Sequence, residues 1–339
     1  MESKYLRYNR ELVNRFISDY KLPIVMNKEK YFFYFLELYE KEFSSLTKWK
    51  MLWDMIDSKF GGDEKKFLDD YYSIRDNIIV TVGDSNSYKA FNTMELDKYK
   101  IVDKPQVTAN NVYNGENIGK AFISIDLKKA NFQTLKYINK DIVLGADTYE
   151  EFIGRFTDLD YVKESKYTRQ VIFGKLNPKR HITIEKYLIN EVWKVYNDVW
   201  YYDNKIVSLS NDEIVIETNS EHVSKTILEY RVREIEKVVK ERLGLLVKVE
   251  YYHLDGYQMY SMQSGNPRNT FYTKTNLVTD KVELICVPAP YYALTYKLFN
   301  GMKLEEPDYH FIYEGIDCRF IEEFGLKKQK TLMEWIKMI

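Results

Sequence analysis

Apolar side chains recur at helical spacing through the first 60 residues of the chain. Phe32, Phe35, Leu36 and Tyr39 stand at positions i, i+3, i+4 and i+7, and the next segment repeats the spacing. Such a pattern places the apolar side chains on one face of a helix. It predicts an α-helical lobe that occupies about residues 1–115.

Two stretches within this lobe lack the helical pattern. The run "NIIVTV" at residues 77–82 is β-branched and aliphatic, which favours a strand. The run "DSNSYKAFNT" at residues 84–93 is polar, which favours a loop.

A short apolar run with a carboxylate at its end begins the next region. In "KAFISIDLKKANF", Phe122, Ile123 and Ile125 predict a buried strand, Asp126 ends it, and helical spacing resumes at Phe132. The sequence therefore predicts a strand that carries one carboxylate at its carboxyl end and is followed by a helix.

A second acidic position lies in "SLSNDEIVIET", residues 208–218. Asp212 and Glu213 stand between two aliphatic runs, and the Ser-Asn-Asp between the runs is typical of a tight turn. The segment predicts a β-hairpin with an acidic tip, which is either solvated surface or part of a metal site. A long amphipathic helix at about residues 221–242 and the strand "LLVKVEYYHL" follow.

The remaining patterns complete an α+β fold class, with an antiparallel sheet and packed helices. Residues 147–198 are predicted to be mostly helical, with a break at "GKLNP". The run "HLDGYQMYSMQSGNPRN" after the last of these strands is polar and contains glycine, and it predicts a surface loop. Residues 281–339 predict a strand, a Pro-rich bend and two further helices.

Charge is balanced over the chain and concentrated locally. The sequence has 50 basic and 51 acidic residues, so an anionic partner requires a local basic patch. Residues 163–194 supply one, with eight basic residues against three acidic ones. A basic helix of this kind is either a solvated face or a binding surface.

The rarer residue types restrict the kind of chemistry. Two cysteines are too few for a disulfide framework, and the four histidines have no paired metal-binding spacing. A carboxylate site then favours oxygen-ligated Mg²⁺ or Mn²⁺. The chain has no signal-peptide pattern at its start and no apolar run near the roughly 18 residues that span a membrane. A cytoplasmic protein without membrane contact is expected.

The two acidic positions suggest a reaction if the sheet brings them together. Neighbouring carboxylates cannot both stay ionised at low cost unless cations or protons offset the repulsion. Two metal ions between them would suit phosphoryl displacement, of which nucleotidyl transfer is the natural case. That reaction also requires basic side chains for a triphosphate, and the 163–194 segment offers them.

Residues 118–256 resemble the palm region of family-A DNA polymerases. "FISIDLKKANF" is similar to the first palm motif of that family, "SLSNDEIVIE" to its acidic hairpin, and "KYTRQVIFGKLN" to its fingers helix. The resemblance implies a helical thumb-like lobe at 1–115, a palm-like catalytic core at 116–146 and 199–280, and short fingers-like helices at 147–198. Residues 281–339 remain as a C-terminal α/β extension.

The same resemblance implies roles for individual residues. Asp126 and Asp212 would be the metal ligands, and Glu213 would support them. The fingers-like segment and the first palm helix would bind substrate, with Lys166 and Arg169 holding the triphosphate of a nucleoside triphosphate and Phe173 stacking near the incoming base. The remaining substrate-binding residues would be Lys175 and Asn131. The implied function is a template-dependent nucleotidyltransferase, a compact phage-type polymerase or primase that acts on a nucleic acid template and primer.

Three departures from the family's pattern bear on this interpretation. Asn131 stands where DNA-polymerising members carry a Glu that excludes the sugar 2′-hydroxyl, Asn211 replaces a His, and Asn177 replaces a Tyr. The first predicts ready use of ribonucleotides. A single-subunit RNA polymerase relative and a reverse transcriptase remain alternatives, although Tyr-x-Asp-Asp is absent from the sequence. A catalytically inert nucleic-acid-binding replication protein with a palm-like fold is the alternative from another class.

Overall fold

The computed structural model describes residues 2–103, 105–107, 111–200 and 205–331. Its α-helices are α1 (Arg10–Tyr20), α2 (Glu29–Leu38), α3 (Glu40–Phe43), α4 (Ser45–Phe60), α5 (Glu64–Asp84), α6 (Asn86–Thr93), α7 (Ala130–Ile138), α8 (Tyr149–Gly154), α9 (Asp160–Glu164), α10 (Lys166–Lys175), α11 (Pro178–Val199), α12 (Lys225–Leu243) and α13 (Tyr292–Phe299). Its strands are β1 (Lys120–Leu127), β2 (Ile206–Leu209), β3 (Glu213–Thr218), β4 (Val247–Ser261), β5 (Pro267–Asn276), β6 (Val282–Ile285), β7 (His310–Tyr313), β8 (Ile316–Arg319) and β9 (Phe324–Lys328).

The chain divides into two compact units, each built from several stretches of sequence. Unit 1 comprises the described residues within Met1–Asn92, Asn139–Pro178 and Ala289–Ile321. Unit 2 comprises those within Thr93–Ile138, Lys179–Pro288 and Glu322–Ile339. This division differs from the predicted boundaries, because the segment predicted as a separate set of fingers-like helices is split between α10 and α11. The C-terminal segment is split as well.

Unit 1 is mainly helical and is held together by a buried carboxylate. Asp19 of α1 is 1% exposed and accepts hydrogen bonds from Tyr71 (2.7 Å), Tyr161 (2.8 Å) and Ser165 (2.7 Å). It also pairs with Arg15 at 3.1 Å. These partners belong to α1, α5, α9 and the N-cap of α10, so one side chain fixes four elements.

Two predictions for unit 1 are wrong. The predicted strand at residues 77–82 is part of α5, because Ile74, Ile78 and Val82 follow one another every four residues and are all buried on one helix face. The predicted loop at residues 84–93 contains α6, which buries Tyr88 and Phe91 one turn apart.

Unit 2 is built on an antiparallel sheet with the strand order β2-β3-β1-β4-β5-β6, in which β9 also pairs with β4. The central strand β1 pairs antiparallel with β3 on one side and with β4 on the other. Helix α12 contacts β4 and ends at Gly244, whose φ of 68° suits glycine at a helix C-terminus. The sequence-based prediction of an α+β fold with an antiparallel sheet and packed helices is confirmed.

Two predictions for the C-terminal part of the chain are also wrong. The polar run at 253–269 forms the end of β4 and the start of β5 instead of a surface loop. After α13 the chain forms the β7–β8 hairpin and β9 instead of a second helix, and residues 332–339 lie outside the described residues. Glu314 and Gly315 between β7 and β8 both have positive φ, which is the geometry of a two-residue hairpin turn.

Candidate active site

Asp126 and Glu213 face each other at the end of the central strand pair. They are cross-strand partners in the antiparallel register of β1 and β3, so their side chains lie on the same face of the sheet. The Leu127 backbone N–H donates a 2.8 Å hydrogen bond to the Asp212 carbonyl, which holds the hairpin tip beside β1. The sheet therefore brings together the three carboxylates that the sequence selected.

The hairpin tip is fixed by Ser210. Its hydroxyl accepts hydrogen bonds from the backbone N–H groups of Asp212 (3.3 Å) and Glu213 (3.0 Å) and lies 3.2 Å from Asp212 Oδ1. Its own N–H donates to the Glu213 carbonyl at 2.8 Å. Serine favours such turns because its short side chain reaches nearby backbone groups. The Asp212 carboxylate is thus positioned by local hydrogen bonds.

The environment of Asp126 disfavours its ionised form. Burial raises the pKa of Asp126 to about 6, and repulsion from Asp212 and Glu213 adds to the shift. Lys248 and Lys274 act in the opposite direction and do not cancel it. Both lysines are already paired with Glu250, at 2.9 and 2.8 Å. The site therefore holds more negative charge than its own lysines neutralise.

Glu213 has a neutral partner within the sheet. Ser124, two residues before Asp126 on the same face of β1, donates a hydrogen bond from its hydroxyl to Glu213 Oε1 at 2.5 Å. This bond holds the Glu213 carboxylate toward the interior of the sheet. Glu213 therefore lies beside Asp126, with its carboxylate held by Ser124.

A fourth carboxylate, Glu185, was missed by the sequence-based reasoning. Glu185 is 5% exposed, and burial raises its pKa to about 7, with repulsion from Asp212 as a second cause. Asn131 Nδ2 donates a 2.8 Å hydrogen bond to Glu185 Oε1. A signal was present in the sequence, because Glu185 stands between Ile184 and Leu188 on the buried face of α11. A carboxylate in such a position needs a partner or a function.

The carboxylates fit a magnesium ion by donor type but do not form a complete protein cage. Within the described ranges, no group of three or more His, Cys, Asp or Glu side chains is arranged to hold a metal ion. Mg²⁺ commonly binds through one or two carboxylates, with water and substrate phosphates as its other ligands. Asp126 and Asp212, whose mutual repulsion a cation would offset, are compatible with that mode.

The predicted triphosphate-binding residues lie on α10, in unit 1. Lys166 and Lys175 are exposed, and Arg169 is partly buried with its guanidinium 5.6 Å from the centre of the Tyr149 ring. Burial lowers the pKa of Arg169 from its usual value. Phe173 is 2% exposed and its ring centre lies 6.2 Å from that of Tyr149. The predicted stacking of Phe173 on a base requires an accessible ring, which this structure does not provide.

The reason for the burial of Phe173 lies in the packing of α10. This helix contacts α1 and α5, and its buried side chains Ile172 and Phe173 lie four and five residues after the buried Thr168. The spacing that places Phe173 on the face of Lys166 and Arg169 also turns it toward the core of unit 1.

Comparisons with known proteins give no indication of function, so the function must be inferred from the geometry described above. The sequence matches no model of a known protein family, and a search of curated proteins also found no match. None of the helices in the described part of the chain is long and apolar enough to cross a lipid bilayer.

Proposed function

We propose that this protein is a template-dependent nucleotidyltransferase, a compact polymerase or primase, with its active site at the end of β1 and β3. The observation that carries the proposal is the cross-strand register of Asp126 and Glu213, with Asp212 at the adjoining hairpin tip. Asp126 and Asp212 are the proposed ligands of Mg²⁺ or Mn²⁺. The expected partners are a nucleic acid template with its primer and nucleoside triphosphates.

The electrostatics of the site support a cation. Three acidic side chains share one end of the sheet, and burial together with repulsion from Asp212 and Glu213 raises the pKa of Asp126, although Lys248 and Lys274, which also pair with Glu250, act against the shift. A bound Mg²⁺ would neutralise this charge, hold the substrate phosphates and stabilise the charge that develops during displacement. Without such a cation, the clustered carboxylates only cost stability.

The protein's own residues would then divide the remaining tasks. Ser124 keeps Glu213 oriented, and Ser210 keeps the hairpin tip in place. Asn131 at the start of α7 offers a side-chain amide to the sugar of the nucleotide. Arg169 and Lys166, with Lys175 near the end of the same helix, are the proposed contacts of the triphosphate, since basic side chains offset phosphate charge.

The fold supports the proposal in its coarser features. Both acidic segments, the long helix α12 and the strand β4 occur in the order that the resemblance to a family-A palm implies. Unit 1, which is mainly helical, includes the described residues among the first 92. The thumb-like and palm-like assignments, and a cytoplasmic viral setting, belong to the same proposal.

Extension of a labelled primer on DNA and RNA templates tests this function. With Mg²⁺ and either NTPs or dNTPs, the wild type is expected to add nucleotides, and Asp126→Asn and Asp212→Asn to lose at least about a hundredfold in rate. Glu213→Gln should lose less. Wild-type rates in either Asp variant would show that the site is assigned wrongly. Template binding without extension in Mg²⁺ or Mn²⁺ would favour the inert nucleic-acid-binding alternative.

A further inference from the structure

A second site lies where the central sheet of unit 2 is interrupted. Strand β4 pairs with β1 as far as Leu254, which stands opposite Lys120, and pairs with β9 from Tyr257, which stands opposite Lys328. Strands β1 and β9 therefore follow one another along the same edge of β4. The gap between them is bridged by single backbone hydrogen bonds and opens into a cavity of about 810 Å³.

Gly256 is the residue that permits this junction. It lies in β4 opposite the gap, and a Cβ atom there would collide with the side chains of Ile118 and Gln329. The Gln329 backbone N–H donates to the Gly256 carbonyl at 2.8 Å, and that of Gly119 donates to the Leu254 carbonyl at 2.8 Å. The backbones of β4, of the residues after β9 and of the residues before β1 thus meet at this junction.

The lining of the cavity is basic and rich in hydrogen-bond donors. Lys327, Lys328 and Lys330 are exposed and line the cavity, together with the amide-bearing residues Gln258 and Gln329. Lys328 is paired with Asp255 at 2.9 Å. Among the described residues that line the cavity, three are lysines and one, Glu116, is acidic, although the chain as a whole carries −1.

We propose that this cavity, called the basic groove below, binds the phosphate backbone of a nucleic acid, at a position separate from the carboxylate site. Phosphate oxygens accept hydrogen bonds from ammonium and amide groups, and a chain of phosphates can engage several lysines at once. The groove lies at the β4–β9 pairing, beyond the part of β4 that pairs with β1 near Asp126. It would hold the template or primer duplex on the unit that carries the carboxylates. This inference rests on the proposed function for the identity of the ligand.

Binding of a fluorescent primer–template duplex tests the groove. The measurement is made over a range of salt concentrations, with neither nucleotide nor divalent ion present. The double variant Lys327→Ala/Lys330→Ala removes two cations from the groove. The matched control, Lys237→Ala/Lys240→Ala, removes two from the surface of α12 in the same unit. Counterion release predicts that log K of duplex binding falls less steeply with log salt in the groove variant, with a slope about 1.8 smaller in magnitude than that of the wild type. The ratio of the binding constant of the wild type to that of the groove variant then falls about tenfold between 50 and 200 mM salt.

Further variants and competitors separate the possible results. Lys327→Arg/Lys330→Arg should bind as the wild type does, and the thermal midpoint of each variant is recorded to confirm folding. Equal losses in the groove variant and the α12 control would overturn the proposal. It would also be overturned if polyglutamate displaced the duplex as well as unlabelled nucleic acid does, or if the variant lost binding of a labelled mononucleotide and kept binding of the duplex.

The same measurements distinguish this inference from the proposed function. A wild type that binds through the groove and does not extend a primer contradicts only the nucleotidyltransferase activity. A groove variant that binds duplex as tightly as the wild type, in a protein that extends primers, contradicts only the groove.

Discussion

The side-chain amide of Asn131 donates a hydrogen bond of 2.8 Å to the buried carboxylate of Glu185. Burial raises the pKa of Glu185, and repulsion from the charge of Asp212 adds to the shift. This pair connects the residue predicted to meet the sugar with the carboxylates predicted to bind metal. The bond occupies one Nδ2 hydrogen and leaves Oδ1 of the Asn131 amide as an acceptor for a ligand.

Sugar preference should follow from this bond. With Nδ2 engaged by Glu185, the Oδ1 of Asn131 remains as an acceptor for a ribose 2′-hydroxyl, which a deoxyribonucleotide lacks. We expect kcat/KM for an NTP to be at least comparable with that for its dNTP, because unpaired polar groups penalise the substrate without the hydroxyl. The measurement is single-nucleotide addition with each substrate.

A substitution that tests sugar preference at Asn131 must avoid placing a new charge against Glu185. Asn131→Glu alone would place a second carboxylate against Glu185, so it is made together with Glu185→Gln. The double variant should shift the preference toward the dNTP. A wild type that strongly prefers the dNTP, with a preference that the double variant leaves unchanged, would contradict a role of Asn131 in sugar selection.

The stability of the protein should depend on pH through Glu185. Its folded-state pKa of about 7 lies above the ordinary value of 4.5, so the folded state binds the proton more tightly. The stabilisation is fully present below pH 4.5 and is lost as the pH rises to about 7. Glu185→Gln should therefore equal the wild type near pH 4.5 and exceed it by about 3 kcal/mol at pH 7.5. Denaturant unfolding at both pH values measures the difference, and a variant less stable than the wild type at pH 7.5 would refute it.

Magnesium should stabilise the folded protein. Because Asp126 and Asp212 repel each other, a cation between them raises the free energy of unfolding, by about 1–3 kcal/mol if Mg²⁺ is well above its dissociation constant. The thermal midpoint is compared in MgCl₂ and in NaCl of equal ionic strength at pH 7.5. Asp126→Asn and Asp212→Asn should lack the Mg²⁺ effect and be slightly more stable without the metal. An equal Mg²⁺ effect in all three proteins would locate the ion elsewhere.

Arg169 should matter more for nucleotide use than another basic residue of the same sequence segment. Arg169→Ala removes a charge proposed to contact the triphosphate, and we expect kcat/KM for the nucleotide to fall about a hundredfold. Lys194, whose partner is Glu191 at 2.7 Å on the exposed surface of α11, serves as the control and should change it less than about twofold. Similar losses in both variants would indicate a diffuse nucleic-acid-binding face. A thermal melt accompanies the kinetics, because Arg169 also contacts the Tyr149 ring.

Unit 1 should depend on Asp19 for its stability. Asp19→Asn replaces one carboxylate oxygen with an amide donor that faces the hydroxyl or guanidinium donors around it, so at least one buried hydrogen bond is lost. We expect the free energy of unfolding to drop by about 3 kcal/mol. Asp158→Asn, which removes a charge from an exposed pair with Lys59, is the control and should cost less than about 1 kcal/mol. Equal costs would show that the Asp19 cluster contributes no more than a surface pair.

Local sequence determined the acidic strand end and the acidic hairpin. Short runs of apolar and β-branched residues specify β1 and β3, and Ser210 specifies the turn through bonds to its own neighbours. These features depend on contacts within a few residues. For that reason Asp126, Asp212 and Glu213 could be selected before the sheet was known.

Tertiary structure decided the features that depend on distant partners. Ile78 and Val82 have β-branched side chains that favour a strand, but burial of one helix face outweighs that preference. Phe173 is buried because α10 packs on α1 and α5, and the spacing of residues within α10 does not reveal those packing partners. The repulsion between Glu185 and Asp212 arises because the fold places α11 and the hairpin in the same unit. The pairing of β9 with β4, which creates the basic groove, joins segments more than 60 residues apart in sequence. Such pairings are chosen by how the whole sheet buries its apolar surface, and short sequence patterns do not encode that choice.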